Sequence, residues 1–379
     1  MAYQSRVLQR AYGFEEVAIV PGEITVNPEQ TDISWKIADI EFTLPVAASA
    51  MDAVVDPIFA GRLTKLGGLP VLNLEGLHSR CDDPYDALDR IAREPASTVT
   101  SLLQEIYSAP IKENLVGRAV EQMKKYGARA IVSVTPMNTK KYGPIAVEAG
   151  AEMIVVQSTV TTARHVSKST HGLRFQELVK QTPVPIMVGN TVSYNTTLEL
   201  METGIHAILV GVGPGSACTS REVLGIGVPQ ITATLDCAAA RDEYERRTGR
   251  YVPIITDGGI RSGGDLCKSF AAGADAVMLG SVFAATAEAP GKGFHWGMAT
   301  PHVALPRGTR IHAGIQSSLE RSLFGPTNKT NGSENLIGAL RTAMGMCGAR
   351  NIREMHNAQL VYAPTIKTEG KQLQIGARD

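Results

Sequence analysis

Eight short runs of apolar and β-branched residues recur along the chain, at 44–49, 69–73, 129–136, 152–158, 184–190, 206–213, 252–259 and 275–281. Each run is nearly continuous in apolar character rather than alternating, the pattern of parallel strands covered on both faces. Amphipathic stretches lie between them, among them 194–204 and 263–273, and both end in a glycine suited to stopping a helix. Eight strand–helix units in one chain predict an α/β fold of the (β/α)8 barrel type, with a doubly wound sheet as the other arrangement of the same units. The segments GIHAILVG (204–211) and GADAVMLG (273–280) are similar to each other, as if the barrel were built from related units.

Two regions break the rhythm. Residues 76–128 form a long excursion after the second strand, read as a helical insertion of about 50 residues and too small for a second full domain. Residues 286–335 are rich in Gly, Pro, Thr and Asn with little periodicity, which predicts a mobile functional loop or a disordered segment. The whole chain, 1–379, is therefore expected to be a single barrel domain with these two elaborations.

Polar and glycine-rich residues gather where the predicted strands end: Ser49 to Asp52, Gly189-Asn190, GVGPGSACTSRE (211–222), Asp257-Gly258-Gly259 and Gly280-Ser281. In a (β/α)8 barrel those ends carry the chemistry. Cys218 is the residue of most interest. It follows the sixth strand in a loop opened by Gly211, Gly213 and Gly215, and it is flanked by Ser216, Thr219 and Ser220. Glycines let backbone approach a ligand closely. A thiol near a helix start ionises more easily, and a neighbouring hydroxyl, Ser220 or Thr219, is placed to orient a water molecule. The other cysteines, 81, 237, 267 and 347, read as buried fillers.

The GxGxG spacing is not the dinucleotide GxGxxG fingerprint. Support for phosphate binding comes instead from DGGIRSGGD (257–265) and LGS (279–281), which set glycines, amides and a serine after strands seven and eight. Asp257 is suited to accept hydrogen bonds from two ribose hydroxyls. Together these residues predict a nucleoside monophosphate held beside a cysteine. A cysteine-protease reading fails for want of matching His and Asn partners.

Composition narrows the class further. The chain carries 37 basic and 37 acidic residues, so neither a nucleic-acid binder nor a membrane-surface protein is expected. Five scattered cysteines without a CxxC suit a reducing cytoplasm and not a disulfide framework. Histidines 165, 171, 206, 295, 302 and 312 show no metal-ligand spacing. No run of about 18 apolar residues occurs, so no membrane span is expected.

These motifs resemble the IMP dehydrogenase/GMP reductase family along most of the chain. The family's GxGxGSxCTxR…GxGVPQ appears as GVGPGSACTSREVLGIGVPQ (211–230), and DGGIRxxGD, MLGS and SAxMD appear at 257–265, 278–281 and 49–52. FEEVAIVP (14–21) and LIGALRTAMGMCG (336–348) match two further family segments. The resemblance implies a covalent thioimidate between Cys218 and C2 of a purine nucleotide. It places Ser49, Met51, Ser216, Asp257, Gly258, Gly259, Gly280, Ser281, Gly297 and Met298 around IMP. It places Gln157, Ser158, Thr159, Asn190 and Gly211 toward NAD, and the carbonyls of Gly213, Gly215 and Cys218 around a potassium ion. It further implies a homotetramer, or tetramers paired into octamers.

Departures from the family pattern shape the reading. The 76–128 stretch is too short for the paired CBS domains usual in the dehydrogenases, so the chain resembles the short branch without them. The fourth-strand Asp-Ser-Ser reads Gln157-Ser158-Thr159, the usual Thr is Ser220, and the usual Tyr near the phosphate is His295. The Arg-Tyr-Phe flap motif is absent, and Arg307 or Arg310 is offered as general base in its place. The resemblance favours an NAD-dependent IMP dehydrogenase. The alternatives are a GMP reductase, against which Ala313 stands where its Glu is expected, and a non-catalytic nucleotide-binding relative.

Overall fold

The computed structural model describes residues 8–166, 172–297 and 309–364. All eight expected strands form and are parallel: β1 (Val46–Ala48), β2 (Leu69–Pro70 continued by Leu72–Asn73), β3 (Ile131–Val134), β4 (Met153–Gln157), β5 (Ile186–Thr191), β6 (Ala207–Val210), β7 (Ile254–Asp257) and β8 (Ala276–Leu279). The sheet order begins with Leu69–Pro70 and ends with Leu72–Asn73. These two ends are one piece of chain interrupted at Val71, so β2 pairs with β1 on one side and β3 on the other and brings the sheet round on itself. The fold is a (β/α)8 barrel. Nearly every strand residue is buried, which is why the runs read as continuously apolar.

The helices begin and end as their sequences direct. Asp56 caps Pro57–Lys65 by accepting from Phe59 N at 2.6 Å, with Pro57 at the first helical position. Ser262 caps Gly263–Ala271. The longest helix, Gln230–Thr248, stops at Gly249 in the left-handed conformation.

Stretch 76–128 holds four helices: Leu77–Arg80, Pro84–Arg93, Val99–Ser108 and Glu113–Lys125. The last packs between Pro57–Lys65 and Thr139–Glu148, in the outer ring of the barrel. The other three build a separate apolar cluster with Leu88, Ile91, Leu103 and Tyr107, into which Ala53 and Trp296 also pack. Region 286–335 contains more order than its composition suggests: Phe294–His295 pairs antiparallel with Ile311–His312, and Ser318 caps a helix at Leu319–Phe324. These elements are short and held by contacts with distant segments, so no local periodicity announces them.

Two further antiparallel pairings lie outside the barrel pattern. Trp35–Ile37 pairs with Ile40–Phe42 and sits at the N-terminal end of the barrel, where Trp35 Nε1 donates to Leu44 O at 2.8 Å. Val17–Ile19 pairs antiparallel with Leu360–Tyr362, joining the two ends of the described chain. Among the described residues no helix is long and apolar enough to cross a membrane.

Candidate active site

The C-terminal ends of the strands surround one cavity of about 990 Å³, at the upper end of the range for small-molecule sites. Every barrel strand contributes. Ser49 and Met51 come from the β1 end, Gln157, Ser158 and Thr159 from β4, and Asn190 from β5. The β6 loop supplies Gly211, Gly213, Gly215, Ser216, Cys218 and Ser220. Asp257, Gly258 and Gly259 follow β7, Gly280 and Ser281 follow β8, and Gly297 follows the Phe294–His295 strand.

The β6 loop is shaped by its glycines. Gly211 has φ 150°, and a Cβ there would fall 2.3 Å from Asp257 O; Gly213 has φ 81°, with Arg221 Cγ at 2.7 Å from the same added atom. No other residue fits these two positions without movement. Gly215 is different: a Cβ there would meet nothing within 4 Å. The turn delivers Cys218, half-buried, to the cavity wall, and its thiol donates to Ser220 Oγ at 3.3 Å. Thr219 is not on the wall; its hydroxyl is buried with no hydrogen-bond partner among the described residues.

One part of the cavity wall is an anion cradle. Ser216 Oγ and Ser281 Oγ lie 2.7 Å apart, and His295 Nε2 is 3.4 Å from Ser216 Oγ. His295 is buried, its Nδ1 has no partner among the described residues, and burial lowers its pKa, so it stands as a neutral ring. Gly258 and Gly259, both with positive φ, bend the chain beneath Pro214. Hydroxyls, a ring nitrogen and turning backbone converge with no acid among them, an arrangement that suits a phosphate.

Another part of the wall is a neutral-to-acidic polar network. Asn190 Nδ2 donates to Asp257 Oδ2 and to Gly211 O, both at 2.8 Å. Gln157 Nε2 donates to Asn190 Oδ1 at 2.9 Å and to Asp257 Oδ2 at 3.2 Å. Gln157 Oε1 is left buried without a partner among the described residues, on the cavity wall. Burial pushes the Asp257 carboxyl up to about 6, against the opposing pull of the Asn190 hydrogen bond. These are acceptors waiting for donors, as sugar hydroxyls and a carboxamide provide.

Sequence reasoning left several wall residues without a role, Asn73, Glu75, Thr135 and Gln230 among them. Asn73 is the last residue of β2, Glu75 lies just beyond it, and Thr135 follows β3. The Glu75 carboxylate accepts from Thr135 N at 2.6 Å and Asn138 Nδ2 at 2.8 Å, so it also caps the approach to the next helix. Gln230 is the fourth; its Nε2 donates to Val210 O at 2.7 Å and its Oε1 has no partner among the described residues. Gln230 lies within the matched motif GVPQ, which was the available signal. Nothing local marks the other three.

Of the proposed bases, Arg310 stands away from the cavity in this conformation: its guanidinium donates to Ile91 O and lies over the Phe294 ring at 4.4 Å. Arg307 and Met298 lie outside the described residues.

Comparison with known proteins agrees with this geometry. A model of the IMP dehydrogenase/GMP reductase domain matches residues 11–369. A Mycolicibacterium smegmatis protein described as an uncharacterized oxidoreductase is 39% identical, over 94% of this chain and 97% of its own. An inosine-5'-monophosphate dehydrogenase from Methanocaldococcus jannaschii is 29% identical over 92% of this chain and 91% of its own. That match runs over 458 positions against 379 residues here, so the archaeal protein carries segments this chain lacks. A crystal structure of an IMP dehydrogenase/GMP reductase-like protein from Corynebacterium glutamicum superposes with a TM-score of 0.90 at 34% identity, covering 95% of this chain and 96% of its own. The chain is therefore an oxidoreductase-type barrel of the IMP dehydrogenase/GMP reductase family, with four helices in the stretch between β2 and β3.

Proposed function

We propose that the protein is an NAD-dependent IMP dehydrogenase, converting IMP to XMP through a covalent adduct on Cys218. The observation that carries this reading is that one thiol, hydrogen-bonded to Ser220, shares a single cavity with an anion cradle and a network of sugar-type acceptors. Ser216, Ser281 and His295 take the phosphate, Asp257 takes the ribose hydroxyls, and Met51 lies against the base. The Cys218 sulfur adds to C2 of the purine. Loss of hydride from that carbon leaves a thioimidate, and attack by water at C2 returns the thiol and releases XMP. Ser220, whose hydroxyl already pairs with the sulfur, is the group nearest to hand for orienting that water.

A bound NAD supplies the hydride acceptor, and Gln157, Ser158, Thr159, Asn190 and Gly211 are the residues that would hold it. The unpartnered Gln157 Oε1 fits a donor on such a molecule. A potassium ion suits the carbonyls of Gly213, Gly215 and Cys218, since hard cations take oxygen ligands. Of these, Gly215 O accepts from Cys218 N at 3.1 Å, a bond that closes the turn carrying all three residues.

The test is a paired assay. Purified protein with IMP, NAD and potassium is followed by NADH absorbance, and in parallel with GMP and NADPH. Turnover of IMP alone is expected. Consumption of NADPH with GMP and silence with IMP would reverse the direction to a reductase, and silence in both would favour a non-catalytic relative.

A further inference from the structure

The helices Leu77–Arg80, Pro84–Arg93 and Val99–Ser108 have no place in the barrel repeat and do not line the cavity. Their contact with the cavity wall is indirect and specific. Trp296 is buried in their apolar cluster, not in the core of the barrel, and Phe294 packs against the same cluster. Residues on a strand alternate in direction. With Phe294 and Trp296 turned to the helices, His295 between them turns to the cavity, where its Nε2 faces Ser216.

A polar chain runs through this contact. Trp296 Nε1 donates to Tyr107 OH at 2.7 Å, and Tyr107 OH donates to Asp52 Oδ2 at 2.5 Å. The direction is fixed, because an indole N–H can only donate and the phenol has a single proton to pass on. Burial holds the Tyr107 hydroxyl well above its usual pKa, so that proton stays in place. Asp52 follows Met51, and Met51 and His295 both stand on the cavity wall. One hydroxyl outside the cavity thus ties together the two wall segments that flank its anion end. The paired strands are gripped twice more from the same helices: Arg310 Nη1 donates to Ile91 O, and Lys292 Nζ pairs with Asp89 Oδ1.

We propose that Tyr107 is a positioning residue, and that the three added helices brace the Phe294–His295 strand so that His295 and Met51 stand ready for the bound nucleotide. The identity of that ligand rests on the function proposed above; the brace itself does not.

The experiment uses Tyr107→Phe in the full chain, with two readouts. The chain has two tryptophans, Trp35 and Trp296, and Trp35 is buried at the opposite end of the barrel, bonded to Leu44 O. Acrylamide quenching of the emission, with Trp296→Phe as the subtraction control, reports on Trp296. Calorimetric titration with IMP reports on the cavity. The expected result is stronger quenching of Trp296 and about a tenfold loss of IMP affinity, about 1.4 kcal/mol, with KM for IMP rising more than kcat falls. A lowered melting temperature with unchanged quenching and unchanged IMP affinity would show a merely structural tyrosine and overturn the proposal. Should Tyr107→Phe not fold, Asp89→Asn removes the exposed Lys292 tie, and about a twofold loss of IMP affinity is expected; no change there is contrary. Wild-type protein that fails to bind IMP would refute the nucleotide reading, and the quenching result alone would then decide the brace.

Discussion

Asp257 is held against its own preference. Burial raises its pKa from 3.8 to about 6. A carboxyl that binds its proton more tightly when folded contributes stability that is present at low pH and lost as pH rises through the interval from 3.8 to about 6. Above that interval the folded, ligand-free protein carries an ionised group it would sooner keep neutral. Asp257→Asn is therefore expected to raise the melting temperature of the ligand-free protein at pH 8 by a few degrees, and by less near pH 4, while weakening nucleotide binding. A melting temperature that falls equally at both pH values would contradict this. Gln157 bears on the same group. Its amide donates to Asp257, which a carboxylate cannot do. Gln157→Glu sets a second carboxylate against the first, and the pH dependence of IMP affinity is expected to shift upward. The sequence showed that Gln157 departs from the family aspartate; that its nitrogen reaches Asp257 is a fact of three dimensions and had no signature in the chain.

At the scale of elements, the β6 loop separates two roles of glycine that look identical in sequence. Gly211 is required by the neighbouring strand, since an added Cβ would overlap Asp257 O. Gly215 borders open space. Gly211→Ala is expected to cost about 1–3 kcal/mol of stability and to abolish activity, whereas Gly215→Ala should melt like the wild type, with any effect confined to ligand binding. Thermal melts of the two variants side by side check this, and equal destabilisation would refute it. The eight strands were legible because burial on both faces leaves an unbroken apolar run. Their predicted ends overran, as at 206–213 against Ala207–Val210, because Val212 is buried too although it lies in the loop. The short pairs Phe294–His295 with Ile311–His312 and Val17–Ile19 with Leu360–Tyr362 were not legible: each is two or three residues long and exists through its distant partner.

At the scale of the whole molecule, the first and last described strands are joined beside the site. Phe14 lines the cavity rim and is followed by Val17–Ile19, which pairs with Leu360–Tyr362; Arg10 lies over the Tyr362 ring at 3.7 Å, and Lys268 Nζ donates to Phe14 O at 2.8 Å. Removing residues 359–379 takes away that strand partner. The shortened protein is expected to keep its barrel, lose several degrees of melting temperature and bind IMP more weakly through displacement of Phe14; unchanged affinity would show that the clasp serves stability alone. The resemblance carried the site further than periodicity could, since most of the residues it assigned meet at one cavity. It did not carry the added helices, whose part in the wall passes through Tyr107 and Trp296, residues 189 positions apart.

The central claim is that the Cys218 sulfur attacks the ring of a purine ribotide held in this cavity. Incubation with 6-chloropurine ribotide followed by mass spectrometry of the digested protein tests it most directly. A nucleotide adduct on the peptide bearing Cys218, absent in Cys218→Ser and absent from Cys81, is the predicted result; an unmodified Cys218 after full incubation would contradict the account.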